Sequence, residues 1–443
     1  MVATFRGRRI PRWALVLMVI LAVICVVLLI VVARILMTLR DPAAIVREDR
    51  LINADMWDTE PRMMAAGLGF TNIIGVDDLS TDDLDGSRTR VRLAGGAWNT
   101  PECSSDHEPE LVSYTSAASP QAIETTYGEE VHYSDGLPIE FSWPVLPSTV
   151  DADDFLVNLT NGTSVQPRVA AAWPNFEYNE RSTVVIFGHF GNRIDPTEPG
   201  AIYPVSVEVV QGESTLELVG ADKQRVSAVG MSAQAPGSPY TDPDISPQDR
   251  GGPRLAAAKL TRYTSEGDSG PALFSSGLLP NHGEALYGSR AQYRLRVFTT
   301  GGMTPDGVRG MWPTEYERFF RITTVDDAGE QVLVSETGMD YQINGGTLRV
   351  EGLADLGLPQ STYDDCYQED KDNQIDIILS GDDEALRAIT RVQMPSTGEY
   401  SPVYNPGGPG NDPTPGVRYA APSPPIDIPV LMALDDPLVV NYP

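Results

Sequence analysis

Residues 137–162 read LPIEFSWPVLPSTVDADDFLVNLTNG, and two short runs inside them set the fold class. Ile139, Phe141 and Trp143 alternate with Glu140 and Ser142; Phe155, Val157 and Leu159 alternate again just before Asn161-Gly162. Side chains of a strand point to opposite faces with a period of two, so each run reads as a strand with one apolar face. Asn-Gly is a strong hairpin turn. Runs of the same kind follow in TVVIFGHF (183–190) and YPVSVEVV (203–210).

The stretch from about 130 to 212 resembles the bacterial immunoglobulin-like modules of surface-layer and adhesin proteins. Pro147, Ser148, Thr149, Val150 and Phe155 match the module's central strand entry, and Tyr203 to Val209 match its final strand. The resemblance implies a β-sandwich and a place at a cell surface. It covers about a fifth of the chain, and the polar segment Asn175 to Arg181 departs from the module's pattern.

Outward from this stretch the pattern stays β-rich. STLELVG (214–220), QYRLRVFTT (292–300), FFRITTV (319–325), QVLVSE (331–336) and TLRVEGL (347–353) are strand-like, with turns at Gly301-Gly302 and Gly345-Gly346, which predicts a second sandwich-like domain over 215–395. On the other side, TNIIGV (71–76), TRVRLAG (89–95) and ELVSYTS (110–116) read as short strands of a β-rich region spanning 70–214. Late in the chain Asp382 or Asp383 can cap a helix carrying Leu386, Ile389 and Val392. The last 43 residues hold 11 of the 36 Pro, so 396–443 is expected as an extended tail.

From Trp13 to Ala33 run 21 apolar residues without a charge, long enough as a helix to cross about 30 Å of hydrocarbon. Arg6, Arg8, Arg9 and Arg12 precede the run, while the Arg residues after it are interleaved with Asp41, Glu48 and Asp49. The positive-inside rule then puts residues 1–12 in the cytoplasm, a single-pass helix at 13–37 and everything beyond outside the cytoplasm. Residues 38–69 read as a juxtamembrane connector in which Ile52, Met56 and Met63 share a weak helical face. The fold class is therefore mainly β: an N-terminal transmembrane helix followed by two or more immunoglobulin-like sandwich units.

Residues 1–40 carry six Arg and no acid, so the remaining 403 hold 26 bases against 61 acids, a net charge of −35. Binding nucleic acid needs cationic side chains to displace counterions, and a body this acidic excludes that class. Only three of the 32 bases are Lys, a composition that points to a GC-rich bacterial genome. Cys25 lies in the apolar run, leaving Cys103 and Cys366 to form one disulfide in an oxidising compartment. The bond would close a loop of about 260 residues and stabilise by up to about 5 kcal/mol.

Three sets of residues invite chemistry. Gly267-Asp268-Ser269-Gly270-Pro271 resembles the nucleophile loop of trypsin-like serine proteases, which would make Ser269 a nucleophile. The upstream histidines His107, His132 and His189 do not stand in that family's context. In YDDCYQEDKDNQID (363–376), Asp365, Glu369, Asp370, Asp372 and Asp376 crowd beside Cys366 and are the candidate ligands of a calcium ion, since hard cations take converging oxygens. The four His show no zinc spacing, and no dinucleotide or phosphate loop is present. The expected function is that of a structural or binding protein of the bacterial cell envelope, with an envelope protein or glycan as partner. A glycan-handling protein and a serine hydrolase using Ser269 are the alternatives.

Overall fold

The computed structural model describes residues 46–67, 75–94, 96, 98–104, 109–172, 177–191, 199–200, 202–234, 254–264, 283–301, 308–370, 373–395 and 426–443. The apolar run 13–33 and Ser269 lie outside them. No helix among the described residues is long and apolar enough to cross a membrane.

The opening stretch folds as its alternation dictates. Asp135–Phe141 sits in a four-stranded sheet between Met63–Ala66 and Thr183–Gly188, with Val169–Ala171 at the far edge. Phe155–Leu159 sits in a second sheet between Pro204–Val209 and Ser164–Val165, extended by Ser232–Gln234. Ile139, Phe141, Val184 and Ile186 from one sheet meet Phe155, Val157, Val207 and Val209 from the other in a single core. Each of these side chains is fully buried and contributes about 1.5–3 kcal/mol of transfer free energy.

The segment PSTVDADD is the corner between the two sheets. Asp154 accepts from the Asp151 N–H at 2.9 Å, Asp153 from the Glu213 N–H at 2.8 Å, and Ser214 Oγ donates to Asp151 at 3.0 Å. Burial pushes the Asp154 carboxyl up to about 6, with Asp153 and Asp151 adding to the shift. Its acids thus organise a turn. Gly220 supports the same sandwich, because a Cβ there would stand 2.6 Å from the Trp143 ring.

The second sandwich faces a six-stranded sheet against a four-stranded one. The larger sheet runs in the order Tyr341–Ile343, Gly346–Ala354, Gln374–Gly381, Tyr293–Thr299, Leu255–Arg262, Leu431–Met432, and the smaller in the order Gln331–Val334, Arg321–Val325, Ile389–Met394, Ile426–Pro429. Leu295, Val297, Ile377 and Leu379 pack against Ile322, Val334 and Val392 between them.

Several expectations are corrected. TRVRLAG is not a strand: Leu84–Leu93 is a helix, capped by Asp83, whose carboxylate accepts from the Gly86 N–H at 2.9 Å. Asp85 in its first turn and Arg90 and Arg92 in its last complement the helix dipole, and Ser87 and Val91, four residues apart, turn inward. A second helix, Pro120–Tyr127, lies inside the region read as β-rich. The connector 38–69 holds strand Met63–Ala66 of the first sandwich and strand Leu51–Asp55, whose Leu51 and Ala54 pack in the same core. Leu216, Leu218, Val219 and Ala228 pack in the first core, so that unit extends to about residue 234 rather than ending at 214. The helix after Asp382 stops at Leu386, and Ile389–Met394 is a strand.

The tail is also corrected. Ile426–Pro429 and Leu431–Met432 complete the two sheets of the second sandwich, and Val439–Tyr442 pairs with Leu51–Asp55. Alternate apolar side chains explain this: Ile426 and Leu434 enter the second core and Val440 the first.

Cys103 and Cys366 are joined, with Cα atoms 5.5 Å apart across a separation of 263 residues. Asp364 holds the same seam by accepting from the Ser104 N–H at 2.5 Å and hydroxyl at 2.6 Å. Replacing both cysteines by Ser is expected to lower unfolding stability by about 2–5 kcal/mol. Urea titration checks this, together with peptide mapping: a Cys103 peptide that alkylates without prior reduction contradicts the bond.

Candidate functional site

Tyr293–Thr299 alternates like any strand, but its second face carries Arg294, Arg296 and Phe298. The register places Lys259, Arg296 and Asp376 side by side on three neighbouring strands. This polar face of the six-stranded sheet is covered by the first sandwich, so the side chains are sealed: Lys259, Arg296 and Asp376 are 0% exposed. Ions taken out of water cost several kcal/mol each unless paired, so the covering elements must bring partners.

They do. Asp55, at the end of Leu51–Asp55, pairs with Lys259 and accepts from Arg296 Nη1 at 3.0 Å. Asp376 takes Arg296 in a fork, 2.7 Å from Nε and 3.0 Å from Nη2. Asp355 also pairs with Arg296 Nη2, and Glu180 stands 3.2 Å from Nη1. Lys259 Nζ donates further to the carbonyls of Pro437 at 3.0 Å and Leu438 at 3.1 Å. Trp57 stacks on Phe298 at 4.8 Å, with the Lys259 ammonium 5.6 Å from its ring. One layer thereby gathers residues from both sandwiches and the C-terminal segment.

The carboxyls of this layer are not alike. Burial pushes the Asp55 carboxyl up, but Lys259, Arg294 and Arg296 outweigh it and hold it well below the usual range. Burial drives Asp355 far above that range, Glu180 and Asp376 adding to it against Arg296. Burial, with Asp355, Glu369, Glu180 and Glu177, does the same to Asp370. Burial opposes the charge of Arg296, yet Asp355, Asp376, Glu180 and Asp55 hold it firmly protonated.

The five expected calcium ligands take different settings. Asp365 accepts from the Glu102 N–H at 3.2 Å beside the disulfide. Glu369 accepts from the Met311 N–H. Asp376 is committed to Arg296, Asp370 lies by Asp355, and Asp372 is outside the described residues. Among the described residues, the acids with oxygens within 4.8 Å of one another are Glu177, Glu180 and Asp355, all buried. Two of them belong to the polar departure at 175–181, which the sequence marked as anomalous without showing what it meets. His132 is exposed and stands 3.0 Å from Asp77, and Tyr316 and Phe319 are core residues.

No family model matches the chain, and no curated protein matches it. Among solved structures, a tetra-tandem repeat in the extending region of a large adhesion protein aligns over 59% of this chain at 8% identity, with a TM-score of 0.11. The chain spans 40% of that structure's length. So slight a likeness carries no reading of fold or function.

A second buried acid lies on the outer face of the first sandwich. Glu140 pairs in register with Ala65 and Thr183, and Thr183 exchanges a hydrogen bond with Asn373 of the other sandwich. Glu140 is 0% exposed and its two carboxyl oxygens have no hydrogen-bond partner among the described residues. Burial pushes its carboxyl up to about 8 from 4.5, against the opposing charge of Arg254. Below about pH 4.5 folded and unfolded chains both hold this proton. Between 4.5 and 8 only the folded chain does, so stability falls as pH rises, by about 1.4 kcal/mol per unit for this group. Glu140→Gln is expected to flatten the decline between pH 5 and 8 in urea titrations; parallel pH profiles for variant and parent contradict it.

Proposed function

We propose that the chain is a membrane-anchored structural or binding protein of the bacterial cell envelope. Residues 13–37 would span the membrane, the N-terminus would face the cytoplasm, and an immunoglobulin-like first sandwich and its companion would stand outside. The observation that carries this reading is the joined pair Cys103 and Cys366. Disulfides persist in oxidising compartments and are rare in the cytosol. The apolar run with its Arg flank supports the same side of the membrane. Two sandwiches tied by a buried charge layer and a covalent bridge suit a part that bears or presents a binding surface.

Protease added to intact spheroplasts is expected to digest the body and leave a short N-terminal fragment protected. Recovery of a soluble protein beginning near residue 34 contradicts the anchor, and full protection of the body contradicts its placement.

A further inference from the structure

Beside the disulfide, a groove of about 400 Å³ opens between the helical insertion of residues 76–127 and the acidic loop that carries Cys366. Ligand sites are concave, mostly apolar and of this volume, with a few polar groups that set orientation. Its walls are Leu79, Leu111, Val112, Ala118, Val308 and Tyr367. Two polar side chains of the floor are spent locally: Thr115 Oγ1 accepts from the Ala117 N–H at 3.0 Å, and Ser119 Oγ from the Ala122 N–H at 3.3 Å. One feature is not explained by folding: Val112 remains 48% exposed at the rim.

Charge selects the occupant. Asp365 and Glu369 line one end, and no described basic residue lines the groove. Arg309, 3.8 Å from Asp365, is committed to Glu315 by two bonds of 3.0 and 2.7 Å, and Arg318 reaches Glu315 at 3.1 Å. Three acids (Asp365, Glu369, Glu315) against two bases (Arg309, Arg318) leave this end net negative, on a body of net charge −35. We propose that the groove is a docking site for a basic, apolar peptide segment of a partner protein. Its apolar side chains would cover Val112 and Leu111, and a cationic side chain would face Asp365 and Glu369. This deepens the binding reading above and rests on it, but the spheroplast experiment reports topology alone, so the two fail separately.

The test uses the full-length chain in phosphatidylcholine nanodiscs and the fluorescein-labelled peptide Gly-Leu-Arg-Leu-Lys-Leu-Gly, with the signal from empty nanodiscs subtracted. Anisotropy is expected to show saturable binding that weakens at least tenfold in Val112→Arg, which sets a cation at the rim. The peptide with Glu at both basic positions is expected not to bind. Absence of binding by the basic peptide, equal binding by the acidic one or by one with Ser at both basic positions, or undiminished binding to Val112→Arg overturns the proposal.

Discussion

A guanidinium with no exposure to water, that of Arg296, sits where the two sandwiches meet, and its requirements order the molecule around it. Desolvation makes such a group intolerable by itself, so its donors need carboxylates held from several directions. Asp376 comes from the neighbouring strand, Asp355 from the end of the next, Asp55 from the first sandwich's N-terminal strand and Glu180 from the segment before Thr183. Neither sandwich alone supplies the full set. Separating them would strand Arg296 and Lys259 without Asp55, and the exposed ions would need new partners or water. Docking of the two units is thus a condition of folding the second unit's polar sheet face.

Chain connectivity reinforces the arrangement. The last strand, Val439–Tyr442, returns to pair with Leu51–Asp55, immediately before Asp55 enters the charge layer. Pro437 and Leu438 give their carbonyls to Lys259 on the way. The disulfide closes the opposite seam. Beginning, middle and end of the body therefore meet at one layer, and the groove beside Cys366 is built on that common frame.

How much of this the residues reveal depends on what a period can encode. Alternation at Ile139–Trp143 and Phe155–Leu159 identified the first core because both partners of each contact are apolar. The same period in QYRLRVF marked Arg294 and Arg296 as opposite in face to Leu295 and Val297, but it does not tell water from a second domain, and Glu140 was hidden in the same way. TRVRL is short enough to fit two periods; Asp83 ahead of it, an N-cap residue, was the signal that favours a helix. The crowded acids at 364–376 were legible as a group, whereas their separate destinies on a turn, a backbone amide and a guanidinium follow from strand register that no local pattern contains. The pairing of Cys103 with Cys366 was legible by count, and the strands at 426–442 were masked by the prolines around them.

The central claim is that the buried charge layer makes the two sandwiches one cooperative unit. Differential scanning calorimetry of the body carrying Arg296→Met, compared with the parent, tests it most directly. The account predicts one calorimetric transition for the parent. For the variant, Asp55, Asp355 and Asp376 lose their shared cation, and it predicts a lower first transition separated from a second, as the sandwiches come apart before both have melted. A single transition in the variant with the parent's midpoint would contradict it.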